Sequence, residues 1–196
     1  MMPKLLDMAV RRAALAAAAI RAIDARGLEG VRLVDVAAEA GCTTGALQHF
    51  FGVGAGKDAV LRLALEEIVE RMLSAPSDPG RSPAEQLAES LPLDEARRRE
   101  WRVWIAFQGR ALFDRALAAL HGRYYAAIHD RLVEALAGAG VPAHRLDAVA
   151  LAAVAAVDGV GLRASLEPEL WPPQRQREML AALLDPLFAS HPEPKP

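Results

Sequence analysis

A chain of 196 residues with 53% hydrophobic side chains has room for one large domain or two small ones, and for a sizeable core. A formal net charge of −2 excludes a uniformly basic nucleic-acid coat, the single Cys42 excludes an intrachain disulfide, and nothing at the start reads as a signal peptide. The charge is uneven: residues 1–57 carry seven basic and five acidic side chains, a net of +2, which leaves −4 for the remainder. That asymmetry is expected when nucleic acid is met at one end only.

Residues 4–26 are expected to form the first helix, with Ala16, Ala19, Ile20 and Ile23 at i, i+3, i+4 and i+7, Arg11 and Arg21 on the other side, and Gly27 at its end. Val34, Val36, Ala37 and Ala40 then put apolar groups mostly on one side of a short second helix. Gly41 stops it, because only glycine enters a left-handed turn without steric cost. Thr43 or Thr44 can cap a third helix through its hydroxyl. This helix turns Ala46, Leu47, Phe50 and Phe51 inward and Thr43, Thr44, Gln48 and His49 elsewhere. Two short helices joined by a glycine-containing turn describe a helix-turn-helix, whose second helix can enter the major groove with its N-terminal residues against base edges. Cys42 is expected as a small buried residue of the turn, with redox sensing as the rival reading.

The glycine-rich stretch 52–56 lacks the Gly-Lys-Ser/Thr ending of a phosphate cradle. Lys57 to about Leu73 reads as helix four, a connector whose Glu66, Glu67 and Glu70 suit a solvated face. A loop over 74–83 ends in a capping box, with Ser82 as N-cap, Pro83 first and Glu85 reaching back, and a short helix ends before Pro92. Asp94 caps helix six, expected to run to about Leu117; helix seven spans about Leu120 to Leu136. A turn at 138–142 leads to helix eight, about Ala143 to Ser165. Pro168, Pro172 and Pro173 break the chain before a last helix to about Phe188, which Pro186 can end or kink. The proline-rich tail from His191 is expected to be disordered. No strand alternation appears, so the fold class is all-α with about nine helices.

Helix six carries Trp101, Trp104, Ile105, Gln108 and Leu112 as one apolar stripe with one amide in it. Core packing explains it, and so does the wall of an effector pocket, which is typically apolar with a few placed polar groups. Phe107, Phe113, Met72, Tyr124 and Tyr125 are candidates to join it. The polar set of Gln108, His121, Tyr124 and Tyr125 is thin, which leans toward a lipophilic or aromatic effector. Between Ala148 and Leu162 only Asp158 is charged, and a helix apolar all round must be covered on all sides. Its uncharged run from Ala148 to Val157 is too short to span a bilayer. The small residues Ala152, Ala153, Ala156 and Gly159 let another helix approach. With Met179, Leu180, Leu183, Leu184 and Leu187 of helix nine they suit a four-helix dimer interface about a two-fold axis, a deeply buried monomer core being the alternative.

The block Asp35 to Leu47, followed by Gln48-His49-Phe50-Phe51 and Lys57-Asp58-Ala59-Val60-Leu61, resembles the N-terminal DNA-binding domain of the TetR (tetracycline repressor) family of bacterial regulators over Arg11–Leu61. The second half resembles the C-terminal domain of its choline/betaine-type members, on Trp101-Arg-Val-Trp104, Arg123-Tyr124 and Val157-Asp158-Gly159-Val160. Three departures stand out. Gln48 replaces the Tyr that touches a phosphate, the 52–56 turn is longer than the usual Pro-Ser turn, and Arg32 occupies the position of a capping Thr or Ser.

The resemblance implies a DNA-binding domain over 1–56, an effector-binding and dimerisation domain over 57–190, and a tail over 191–196. It places Thr43, Thr44 and Gly45 in the groove and His49 and Lys57 on phosphates. Gln48 hydrogen-bonds a phosphate or reads a base, and Arg32 completes the DNA-facing set. An effector pocket would involve Met72, Trp101, Trp104, Phe107, Gln108 and Tyr124. The dimer interface would use Ala152, Ala156, Gly159, Leu180, Leu184 and Leu187. The expected protein is a cytoplasmic, homodimeric, ligand-responsive regulator, expected as a repressor, that binds double-stranded DNA and a small apolar or aromatic effector, with no membrane partner. No cofactor, metal site or catalytic constellation is expected, since the five histidines are scattered and no nucleophile motif is present. The rivals are a helical adaptor that has lost DNA binding, then a helical-bundle enzyme.

Overall fold

The computed structural model describes residues 2–52, 56–74, 78 and 80–188, with side chains from Met8 onward. All regular structure among them is helical: α1 (Met2–Gly30), α2 (Leu33–Glu39), α3 (Thr44–Phe51), α4 (Lys57–Ser74), α5 (Pro83–Ala88), α6 (Glu95–Ala111), α7 (Arg115–Gly138), α8 (Leu146–Leu166, after a 3-10 turn at Ala143–Arg145) and α9 (Pro173–Phe188). The all-helical fold expected from the sequence is therefore present. The tail from His191 and residues 53–55 of the long turn lie outside the described residues.

The helices gather into two units: residues 1–71 with 102–118, and 72–101 with 119–196. Packing thus does not divide the chain at residue 57, where the sequence placed a boundary; α4, α6 and α7 each run from one unit into the other.

In the first unit α1 packs on α2 and α2 on α3. Gly27, at φ 70°, breaks α1 where the sequence expects its end. Arg21 ties α1 to the end of α2 through two bonds to Glu39, 2.8 Å to the carboxylate and 3.0 Å to the backbone oxygen. Gly41, at φ 63°, makes the turn between α2 and α3. The Cys42 N–H then bonds to the Ala37 oxygen at 3.0 Å, and Cys42 itself is half-buried rather than buried. An eight-residue helix such as α3 is marginal by itself. Leu47, fully buried, anchors it, and such a side chain contributes about 1.5–3 kcal/mol by leaving water.

Helix α6 is shorter than expected. It ends at Ala111, and Asp114 starts α7 by accepting from the N–H groups of Ala116 (2.9 Å) and Leu117 (3.1 Å). Leu112, expected on the apolar stripe, and Phe113, a candidate to join the pocket, lie in the intervening turn and are 79% and 93% exposed in the chain.

In the second unit α9 packs on both α5 and α8. The capping box at α5 forms as expected: the Ser82 hydroxyl accepts from the Glu85 N–H at 3.2 Å, and the Glu85 carboxylate from the Ser82 N–H at 2.7 Å. Gln176, buried at the start of α9, donates to the oxygens of Trp171 (2.8 Å) and Pro92 (3.3 Å). Leu180 and Leu184 are fully buried within this unit. They therefore belong to the chain's own core and not to an outward interface, a correction to the expected set. The outward side of α8 is instead Leu151, Ala155, Gly159, Leu162 and Leu166, at helical spacing.

The stretch Ala143–Leu166 as a whole is long and apolar enough to cross a membrane, although its uncharged run is not. A core helix has the same composition, and α8 buries Val149, Ala153, Val157 and Val160 among others.

Trp101 of α6 is closely fitted in the second unit. Its indole N–H donates to the Ser90 oxygen at 2.7 Å, and its ring lies against Gly161 of α8, where a Cβ would come within 2.0 Å of the ring. Replacing Gly161 by alanine forces Trp101 or α8 to move. The expected cost is about 1–3 kcal/mol in urea unfolding, and an unchanged midpoint would contradict this packing.

Candidate nucleic-acid interface

Helix α3 presents its polar edge to solvent. Thr43, Thr44, Gly45, Gln48 and His49 are all exposed, while Leu47 points into the core and Ala46, Phe50 and Phe51 are half-buried. Of the two candidate caps it is Thr43 that acts: its Oγ1 accepts from the Ala46 N–H at 3.2 Å. Gly45 sits in the first turn with open space beyond it, its nearest foreign atom being the Thr43 hydroxyl at 3.8 Å from a built Cβ. Backbone, hydroxyls, an amide and an imidazole thus share one face, the mixture that hydrogen-bonds to phosphates and base edges.

Arg32 precedes α2 but cannot cap it, because a guanidinium has no acceptor. Asp35, three residues on, does the reciprocal half: its carboxylate accepts from the Arg32 N–H at 2.9 Å and Nε at 3.3 Å, with Arg26 at 3.7 Å. The hydrogen bond from the Arg32 side chain, with these neighbouring charges, holds the Asp35 carboxyl below its usual range. Arg32 is engaged locally while its side chain stays largely exposed.

Lys57 opens α4, and its ammonium pairs with Glu29 of the segment after Gly27. The hydrogen bond from Lys57 and its charge pull the Glu29 carboxyl below its usual range. Arg110, near the end of α6, stands 3.0 Å from Asp58 and 4.0 Å from Glu29. Sequence reading named Lys57 but neither Glu29 nor Arg110, because these partners are distant in sequence and carry no motif.

The residues expected at an effector pocket fall in both units. Trp104, Phe107 and Gln108 belong to the first, where the Trp104 and Phe107 rings lie 5.5 Å apart and both are buried. Met72, Trp101 and Tyr124 belong to the second, where Trp101 is occupied with Ser90 and Gly161. The second unit also holds a polar cluster that joins His121 and Tyr125, both named from the sequence as polar pocket candidates, to Asp158, which was not. His121 stacks on Tyr125 at 4.2 Å, and the Tyr125 hydroxyl donates to Asp158 at 2.6 Å. Burial pushes the Asp158 carboxyl up, opposed by that hydrogen bond and by the charge of His121. The signal for Asp158 was in the sequence: it is the one charged residue between Ala148 and Leu162.

Residues 84–189, more than half of the chain, match the profile of the C-terminal domain of BetI-type transcriptional repressors. The HTH-type transcriptional regulator PksA of Bacillus subtilis (strain 168) is 32% identical over 183 residues, spanning 85% of this chain and 84% of PksA. The chain belongs to the TetR family. It is a transcriptional regulator of the TetR/BetI type, as the resemblance of both halves implied.

A transcriptional regulator from Rhodococcus sp. Rha1 shares the fold with a TM-score of 0.75 and 33% identity, over 90% of this chain and 95% of that one. A proposed regulator from Saccharomonospora viridis, solved in complex with choline, aligns with a TM-score of 0.63 and 24% identity over 91% and 96%. Within this TetR-family chain, Asp158 is a half-buried acid kept against its solvation preference, as functional carboxylates often are. Between the ordinary aspartate value of 3.8 and its raised value the folded chain holds more protons than the unfolded one, so stability falls as pH rises through that window. Asp158→Asn keeps an acceptor for Tyr125 and removes the charge. Its melting temperature should exceed that of the parent at pH 7, with the gap closing as the buffer is taken below 3.8. A lower melting temperature at pH 7 would mean that the carboxylate is stabilising as an anion.

Proposed function

We propose that this regulator is a homodimeric repressor that reads a palindromic operator with the outward edge of α3 and leaves it when a small effector binds. The observation that carries the DNA reading is the exposed set Thr43, Thr44, Gly45, Gln48 and His49 on a helix anchored by the buried Leu47. Thr43, Thr44 and Gly45 face base edges; Gln48, His49, Lys57 and Arg32 take phosphates or edge positions.

Dimerisation follows from the apolar face that α8 leaves uncovered. Leu151, Leu162 and Leu166 are 57%, 40% and 67% exposed, and Met179 and Leu183 of α9 are 37% and 47% exposed. Ala152, Ala156 and Leu187 are half-buried and Gly159 is exposed, so they remain in the proposed interface. A two-fold pair would set two recognition helices about 34–36 Å apart, one helical turn of DNA. An effector that prefers a state with another spacing weakens binding by no more than its differential affinity for the two states. Helix α4 carries the displacement toward the head.

The effector is small and apolar or aromatic, in keeping with the buried Trp104 and Phe107 rings. Asp158 beside Tyr125 and His121 favours a second reading, an effector with a positive centre, the charge that choline carries in the Saccharomonospora viridis structure. In this reading the protein works in the cytoplasm, with no membrane partner and no catalytic role.

Gly45→Arg tests the DNA reading, because the arginine enters open space and the fold has no reason to change. Fluorescence anisotropy with a palindromic duplex selected by the protein from a random pool should show operator binding abolished while the dimer persists. Parental affinity in that variant would show that a different surface meets DNA. Leu166→Glu places a charge on the apolar face without touching the core, and light scattering should then report a monomer. A dimer that survives it would move the interface elsewhere.

A further inference from the structure

Lys57 is placed awkwardly for a cation. It is the first residue of the 18-residue α4, where free backbone N–H groups and the helix dipole already favour negative charge. In the chain alone, Glu29 supplies that negative charge, holding the Lys57 ammonium directly. Double-stranded DNA would supply a phosphate to the same ammonium. The two anions are alternatives, since a phosphate drawn to Lys57 meets the Glu29 carboxylate beside it. Glu29 is itself shared. Arg110 reaches toward its other oxygen at 4.0 Å while standing 3.0 Å from Asp58, the residue after Lys57. Four alternating charges from three elements therefore close on one another: Lys57 and Asp58 from α4, Glu29 from the end of α1, and Arg110 from the last turn of α6.

We propose that Glu29 is a built-in competitor for the phosphate that Lys57 contacts, and that Arg110 sets the strength of that competition. With Arg110 toward Glu29, the carboxylate is neutralised by the guanidinium and Lys57 is released to DNA. With Arg110 committed to Asp58, the whole Glu29 charge acts on Lys57. A small movement at the end of α6 thus changes operator affinity without any change in the base-reading edge of α3. Glu29 and Arg110 are positioning residues that act through Lys57 and need touch no nucleotide. The inference rests on the reading of Lys57 as a phosphate contact.

The test is a salt series of anisotropy titrations with the same selected duplex, on the full-length protein. Each lysine that gains a phosphate steepens the slope of log affinity against log salt by about 0.9, and an exposed pair of this kind is worth about a two- to five-fold change in affinity. Glu29→Gln should bind about two- to five-fold tighter with a steeper slope, and Arg110→Met weaker with a shallower one. Glu29→Gln combined with Arg110→Met should behave as Glu29→Gln alone, because Arg110 then has nothing to neutralise. In a Lys57→Met background, Glu29→Gln should leave the slope unchanged. The proposal is overturned if Glu29→Gln steepens the slope equally without Lys57, which would make Glu29 a general repulsive charge, or if the Glu29 and Arg110 effects simply add. Should Lys57→Met by itself leave affinity and slope as they were, the phosphate reading of Lys57 fails, and the competitor reading with it. Circular dichroism melts of each variant separate these outcomes from unfolding.

Discussion

A helix of eight residues can read a groove only if something else holds it still, because its own hydrogen bonds do not suffice in water. In this chain the hold is the fully buried Leu47, with the Gly41 turn and the Thr43 cap fixing the angle and the start of α3. With Leu47 inward, Gly45 and His49 lie on the opposite side of the helix and Thr44 and Gln48 flank them, and all four are exposed. The exposed polar edge and the buried anchor are therefore two sides of one short helix. Arg21 against Glu39 and Asp35 against Arg32 then fix α2, on which α3 rests.

Much of this was legible in the sequence. Helical periodicity, Gly41, the Ser82–Glu85 box and the apolar α8 are local signals, and each appears where the pattern places it. What was not legible depended on an unmarked local cap or on partners far along the chain. The end of α6 was missed because Asp114, a cap with no adjacent glycine or proline, reads as an ordinary surface acid inside an apolar run. Leu180 and Leu184 look the same in sequence as Met179 and Leu183, and only the packing of α9 on α5 and α8 tells the inward pair from the outward one. Trp101 fitted a stripe of pocket residues equally well until Gly161 was seen to make room for its ring. Gln48 and Arg32, departures from the family pattern, are accommodated simply: one is exposed on the polar edge of α3, and the other leaves its capping duty to Asp35.

The polar groups away from the reading edge divide into two kinds. The Gln176 amide nitrogen and the Trp101 indole N–H both donate to backbone oxygens and tie α9 and α6 to the chain around Ser90 and Pro92. Asp158 and the Lys57–Glu29–Arg110–Asp58 set are different, because they place charge where it is either poorly solvated or shared between competitors. Stability alone would not select such arrangements. A regulator needs states close in free energy, and groups that a ligand or a phosphate can satisfy better than the protein does are a physical means of keeping them close.

The measurement that bears most directly on the central claim is a gel shift of the purified protein with the DNA upstream of its own coding region. It is run at low and near-physiological salt against random-sequence competitor, and extended to a genome-wide selection if that segment is silent. Sequence-specific, competitor-resistant binding that weakens steeply with salt is the predicted result. An empty selection would contradict the account and leave a helical ligand-binding protein that has kept the shape of a DNA reader without its function.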